Sequence, residues 1–189
     1  MVQTRSDAQA NRQRLLDAAH AVLSERGLGA EMKEIAERAG VGIGTIYRNF
    51  ATKDDLVEAL LGEVGAGFRG ATDTAVTTED PIQAIRTYFA ITVAIVERYG
   101  GIARAMMSGA VPACAGRHFM DMVGDTRMRS VFERGIAKGV FRVDADPVVA
   151  AAMLVGLAGP MVYMMAGDAR SVAEIRDRIV ESFLRSVCV

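Results

Sequence analysis

Apolar residues recur along the chain with the three-to-four spacing of helices, and nowhere in a sustained two-residue alternation. No Asn-Gly or Asp-Gly pair marks a hairpin, so the pattern predicts an all-α protein. Ile35, Ala36 and Ala39 share one helical face, and Gly40 follows where a helix end needs a residue free to take positive φ. Val41 is expected to dock inward, and Gly42 to open a short second helix with Ile46 and Phe50 inside, four residues apart. Thr52 with Asp55 resembles a capping box and starts a helix carrying Leu56, Leu60, Leu61 and Val64. Glycines 62, 65, 67 and 70 weaken its far end, so it is expected to finish near Gly70.

Asp80-Pro81 pairs a cap with a proline suited to the first helical turn. It launches Ile82, Ile85, Phe89, Val93 and Val96, a stripe expected to end near Gly100. Asp146-Pro147 repeats the device for a long apolar helix over 147–166. Ser171 with Glu174 forms a Ser-x-x-Glu box for a last helix over 172–187, with Ile175, Ile179, Phe183 and Val187 on one stripe. The segment 108–117, with two glycines and Pro112, is the expected internal loop. About nine helices are predicted in all.

Between Met32 and Phe50 this reading gives a helix, a tight turn and a short second helix that turns Thr45, Tyr47, Arg48 and Asn49 toward solvent. Hydroxyls, a guanidinium and an amide on such a helix are groups that a DNA major groove accepts. The stretch from about Arg12 to Leu61 resembles the DNA-binding domain of the TetR family of bacterial transcriptional regulators. The resemblance rests on Leu15-Leu16-Asp17-Ala18-Ala19 ending at Glu25-Arg26-Gly27, on Ile35-Ala36 and on Gly40-Val41. Its most specific parts are Gly44-Thr45-Ile46-Tyr47-Arg48-Asn49-Phe50 and Thr52-Lys53-Asp54-Asp55-Leu56. Two positions depart from the family pattern: Glu31 stands where a Thr or Ser often caps the second helix, and Gly42-Ile43 where Ser and a basic residue often open the third. Both changes remove potential DNA contacts.

The resemblance implies a helix-turn-helix domain over residues 1–60, joined to a helical ligand-binding and dimerisation domain over 61–189. It implies a homodimer on a near-palindromic double-stranded operator, with recognition helices about 34–36 Å apart. Candidate DNA-binding residues are Gly44, Thr45, Tyr47, Arg48, Asn49 and Lys53. Thr45 and Tyr47 carry hydroxyls suited to phosphate oxygens, and the Tyr47 ring also suits a thymine methyl. Arg48 is assigned either to phosphate, to a guanine edge or to a pair with Glu37. Lys53 begins the fourth helix, where its ammonium and nearby backbone N–H groups suit one phosphate. Gly44 serves either close backbone approach to DNA or tight helix packing.

Composition narrows the partners. Of 189 residues, 51% are hydrophobic and 24% charged, which is globular rather than disordered. A formal net charge of -1 excludes coating of nucleic acid by bulk charge, but leaves room for a specific binder with one small basic face. The uncharged run from Pro147 to Gly167 is long enough to cross a bilayer, yet Gly156, Gly159 and Pro160 interrupt it and its flank is acidic; no membrane partner is expected. Cys114 and Cys188 match no metal or redox spacing, so both are expected as unpaired thiols in a reducing cytoplasm. No nucleotide loop, metal cluster or catalytic constellation occurs, so neither enzyme activity nor a cofactor is expected.

Nine of the eleven methionines lie beyond residue 100. Methionine suits pockets that accept varied apolar shapes, and equally suits gaps in a core. The candidate effector pocket is Met106, Met107, Phe119, Met122, Met153 and Leu157, for a small apolar or amphipathic molecule. The expected function is a transcriptional regulator, read as a repressor released from DNA by that molecule. The alternatives are a helical ligand-binding protein or small enzyme that no longer binds DNA, and a regulator controlled by a protein partner.

Overall fold

The computed structural model describes residues 5–108, 125–158 and 172–189, with side chains described from residue 8 and not for 100–108, 172 or 173. Among the described residues the secondary structure is helical, with one isolated antiparallel bridge between Phe141 and Cys188. Eight α-helices are present there: α1 (Arg5–Arg26), α2 (Met32–Arg38), α3 (Ile43–Asn49), α4 (Lys53–Thr77), α5 (Pro81–Ser108), α6 (Arg129–Ala137), α7 (Pro147–Ala158) and α8 (Val172–Val187). The all-α expectation holds.

The chain divides into two compact units. The first runs through α1–α3 to Glu63 in α4 and takes in the end of α5 from Tyr99. Its core joins Leu15, Ala19 and Leu23 of α1, Ile35 of α2, Ile46 and Phe50 at α3, and Leu56 and Leu60 of α4. His20 is half-buried and packs edge-on against Tyr99, with ring centroids 5.2 Å apart. The Tyr99 hydroxyl donates to Glu63 at 3.1 Å.

The second unit is built on Phe89, Phe132, Phe141 and Phe183, backed by Ala71, Ile85, Leu154 and Val187. Phe132 stacks obliquely on Phe141 at 5.6 Å and meets Phe183 edge-on at 6.0 Å. Gly135 in α6 faces this cluster so closely that a Cβ there would lie 2.1 Å from the Phe141 ring. The carbonyls at the end of α4 find donors in α6 and just after it. Arg134 donates to Thr78 O at 2.8 Å and Val76 O at 3.4 Å, and Lys138 to Glu79 O at 3.2 Å. Arg127 joins Asp125 and Asp73, and its hydrogen bond holds the Asp125 carboxyl below the usual carboxylate range.

The caps predicted at Thr52, Asp80 and Asp146 are formed. Thr52 N donates to Asp55 at 2.9 Å and Asp55 N to Thr52 Oγ1 at 3.1 Å, a reciprocal capping box. Asp80 accepts from Ile82 N and Gln83 N, and Asp146 from Val148 N and Val149 N. Two helices outrun their predicted ends. α4 continues past Gly70 to Thr77, because Phe68, Ala71 and Ala75 keep a buried face that outweighs the weak propensity of its glycines. α5 passes through Gly100 and Gly101 to Ser108, since extending a formed helix costs far less than starting one. The predicted loop beyond Ser108, the Ser171 cap and the end of the helix expected over 147–166 lie outside the described residues.

Candidate nucleic-acid interface

The turn between α2 and α3 follows directly from Gly40. Its φ of +67° lets Val41 N reach Ala36 O at 3.0 Å while Gly40 N reaches Glu37 O at 3.1 Å. This pair of bonds is a Schellman closure, which caps α2 and reverses the chain in four residues. Val41 is half-buried against the core, and Gly42 in extended backbone starts α3. At the other end of α2, Glu34 reaches back to Glu31 N at 2.9 Å, so the second helix is closed although Glu31 replaces the usual hydroxyl. Arg26–Glu34 and Arg38–Glu25, each at 2.5 Å, tie α1 to α2.

With roughly 100° per residue, burying Ile46 and Phe50 fixes what the rest of α3 presents. Tyr47, Gly44 and Arg48 fall on the outward face, with Gly44 between the other two. Ile43 lies between Tyr47 and the buried edge, and Thr45 and Asn49 flank the opposite side. Observed exposure follows that order: Tyr47, Gly44 and Arg48 are exposed, and Thr45 and Asn49 half-buried. An added Cβ at Gly44 would meet no protein atom within 4 Å, so helix packing does not require this glycine.

The polar groups are less free than their positions suggest. Arg48 Nε donates to Gly44 O at 3.1 Å and its terminal nitrogen to Thr45 Oγ1 at 3.2 Å, so the guanidinium lies along its own helix. The expected alternative partner, Glu37, is instead 3.9 Å from Lys33. Asn49 Nδ2 donates to Thr45 O at 2.8 Å, which turns the amide back to the helix rather than outward as expected. Lys53 Nζ contacts Leu28 O, using one of the three donors of an ammonium. Arg12, on α1, stacks its guanidinium 4.4 Å over the Phe50 ring.

Tyr47 and Lys53 line one open cleft with Ile43, Met32, Lys33 and Glu31. Sequence reasoning missed Ile43 as part of this surface and counted it only as a lost polar contact. Its register offered the signal, since an Ile four residues before Tyr47 lies beside it on the helix.

The candidate effector residues are placed only in part. Met106, Met107, Phe119 and Met122 lie outside the residues whose side chains are described. Met153 is 48% exposed, and with Leu157 it lines an open groove between α7 and α8 beside Ile175, Ile179 and Phe183. Val149, Ala152, Met153 and Gly156 make an exposed apolar stripe along α7 at helical spacing. Cys188 is half-buried with its thiol pushed up by burial, while Cys114 lies outside the described residues. Among the described residues no group of side chains could hold a metal, and no helix is long and apolar enough to cross a membrane.

Residues 15–60 match the family described as bacterial regulatory proteins, tetR family. Over 53 residues the chain is 45% identical to an HTH-type transcriptional regulator of Staphylococcus aureus, a stretch covering 28% of this chain and 29% of that protein. The match thus spans less than a third of the length of this curated relative. A TetR transcription regulatory protein from Mycobacterium vanbaalenii superimposes with TM-score 0.65 at 26% identity, covering 98% of this chain and 99% of the other. A TetR transcriptional regulator from Streptomyces coelicolor gives 0.63 at 26% identity, over 94% and 98% of the two chains. The fold alone is shared with SmeT, the repressor of the SmeDEF multidrug efflux pump of Stenotrophomonas maltophilia (TM-score 0.73, 23% identity, 97% and 93% covered). With its Gly40 turn, its buried Ile46 and Phe50 and its matching sequence, the segment 15–60 is that of the tetR family of bacterial regulatory proteins, and the chain as a whole is similar in fold to TetR regulators.

Proposed function

We propose that the protein is a cytoplasmic transcriptional regulator that binds a near-palindromic operator as a homodimer. The observation carrying this reading is the outward face of α3, where Tyr47, Gly44 and Arg48 stand clear of the core on a helix held by the Gly40 turn. A helix so presented fits the major groove, and Lys53 at the start of α4 supplies a cation for the adjoining phosphate. Residues 1–60 form the DNA-binding domain in this reading, and 61–189 the effector and dimerisation domain. The exposed stripe Val149, Ala152, Met153 and Gly156 supports dimerisation through α7, because small and apolar side chains left in water favour burial against a second copy.

Release by a small apolar or amphipathic molecule is the second half of the proposal, supported by the methionines concentrated beyond residue 100. Such a molecule must favour a conformer whose two recognition helices no longer match successive grooves; equal affinity for both conformers would shift nothing. A coupling of about 1–3 kcal/mol changes operator affinity roughly 5–150-fold.

Selection of bound sequences from random double-stranded DNA tests the first half. Enrichment of a two-fold-related sequence by the protein, lost in Tyr47→Ala, is the expected result. Recovery of the unselected pool composition overturns it and favours a helical ligand-binding protein. Operator affinity that stays constant at every effector-saturated occupancy would instead point to control by a protein partner.

A further inference from the structure

Ile43 is 46% exposed and Tyr47 50% exposed, and they are the large apolar side chains left in water by the described part of the first unit. They stand one helical turn apart on α3 and line the same cleft. No Cβ blocks the approach beside them, because Gly42 and Gly44 flank Ile43 and neither faces a protein atom within 4 Å. The polar side chains of the helix are partly held at home: Arg48 gives two of its five donors to Gly44 O and Thr45 Oγ1, and Asn49 bonds to Thr45 O. Beside these hydrogen-bonded groups, what α3 presents is the apolar pair Ile43 and Tyr47.

In the major groove the apolar group at the base edges is the C5-methyl of thymine. Resting on the DNA-binding reading above, we infer that Ile43 and Tyr47 form a thymine-methyl reader, making Ile43 a specificity-determining residue. The operator half-site then carries a thymine opposite the first turn of α3. Cytosine there is rejected because it brings an N4 donor to an apolar pair and no methyl. The Tyr47 hydroxyl, at the far end of its ring, is left for a phosphate oxygen.

The experiment uses the full chain and the operator recovered by selection. Each thymine of a half-site is replaced in turn by deoxyuridine, which removes the methyl and keeps base pairing. One position per half-site should lose affinity about three- to fivefold, the worth of one buried methyl. Ile43→Ala should bind the thymine and uracil operators equally, with unchanged affinity for unrelated DNA and unchanged salt dependence. Tyr47→Phe should keep the thymine preference. Wild-type protein indifferent to every deoxyuridine substitution overturns the inference while leaving the DNA-binding reading intact. A thymine preference that survives Ile43→Ala assigns the methyl elsewhere and overturns it too. Failure to select any sequence overturns both.

Discussion

Replacing Gly44 by Ala should stabilise the protein and weaken its grip on DNA, a split that no packing role for this glycine can give. Its φ is not positive, so alanine fits the existing backbone, and the new methyl meets no protein atom within 4 Å. The folded state therefore gains the helix preference of alanine over glycine, up to about 1 kcal/mol and less in the first turn of so short a helix. The same methyl projects between Tyr47 and Arg48 into the space the DNA must occupy. If the helix backbone closes on the groove there, an unaccommodated methyl costs about 1–3 kcal/mol for each recognition helix. A dimer would feel this twice.

Urea unfolding followed by circular dichroism reads the first quantity, and fluorescence anisotropy on a selected operator reads the second. A raised midpoint with operator affinity down at least tenfold is expected. Unchanged affinity beside the raised midpoint would refute the argument, because it would place the outward face of α3 away from close contact with DNA. A lowered midpoint would refute the claim that open space surrounds this position.

Lys53→Ala should weaken binding to operator and to unrelated DNA alike, and lower the salt dependence by about one ion per subunit; an unchanged slope in a salt titration would remove its phosphate contact. Met153→Asp should yield a folded monomer in sedimentation, whereas Phe183→Asp should unfold the second unit, since Phe183 is 3% exposed and packs on Phe89 and Phe132. A dimeric Met153→Asp protein would move the interface elsewhere. Gly135→Ala should destabilise by about 1–3 kcal/mol in urea unfolding despite its gain in helix propensity, because the Phe141 ring lies where the new carbon must go. The Asp125 carboxyl, held low first by its hydrogen bond from Arg127, contributes stability that is full above the unfolded value near about 3.9 and lost as pH falls through the depressed folded value. Asp125→Asn should flatten that acid limb of the stability curve, and an unaltered limb would assign it to other carboxylates.

The parts of the fold legible in the sequence are those closed by a few neighbouring residues. Gly40 with Val41, Thr52 with Asp55, Asp80 with Pro81 and Asp146 with Pro147 each complete their own hydrogen bonds within five positions. Helix length was less legible, because the glycines of α4 and α5 argue for early ends while the buried face of Phe68, Ala71 and Ala75, or simple continuation, argues against them. At the candidate site the same division holds. Which residues of α3 face outward follows from Ile46 and Phe50 alone. That Arg48 and Asn49 turn some of their donors back onto their own helix does not, since a rotamer answers to space, and Gly44 supplies the space beside Arg48.

These placements bear on how a chain of formal net charge -1 can choose one DNA sequence. Arg26 and Arg38 are paired with Glu34 and Glu25, and Glu31 stands in the same cleft as Lys33 and Lys53. These pairs, with Lys33 beside Glu37, weaken the pull of the first unit on phosphates irrespective of sequence, while Arg48 and Lys53 bond only neutral oxygens and keep their charge. Weak non-specific attraction lowers affinity everywhere, but it lowers the competition from unrelated sites as well. Discrimination then rests on the base edges, and there α3 presents the exposed Ile43–Tyr47 pair and the side of Gly44 that carries no Cβ. On the proposed DNA-binding reading the two departures from the family pattern have a common consequence: Glu31 trims the charge-driven part of binding, and Ile43 exchanges a polar contact for one that needs a methyl to receive it.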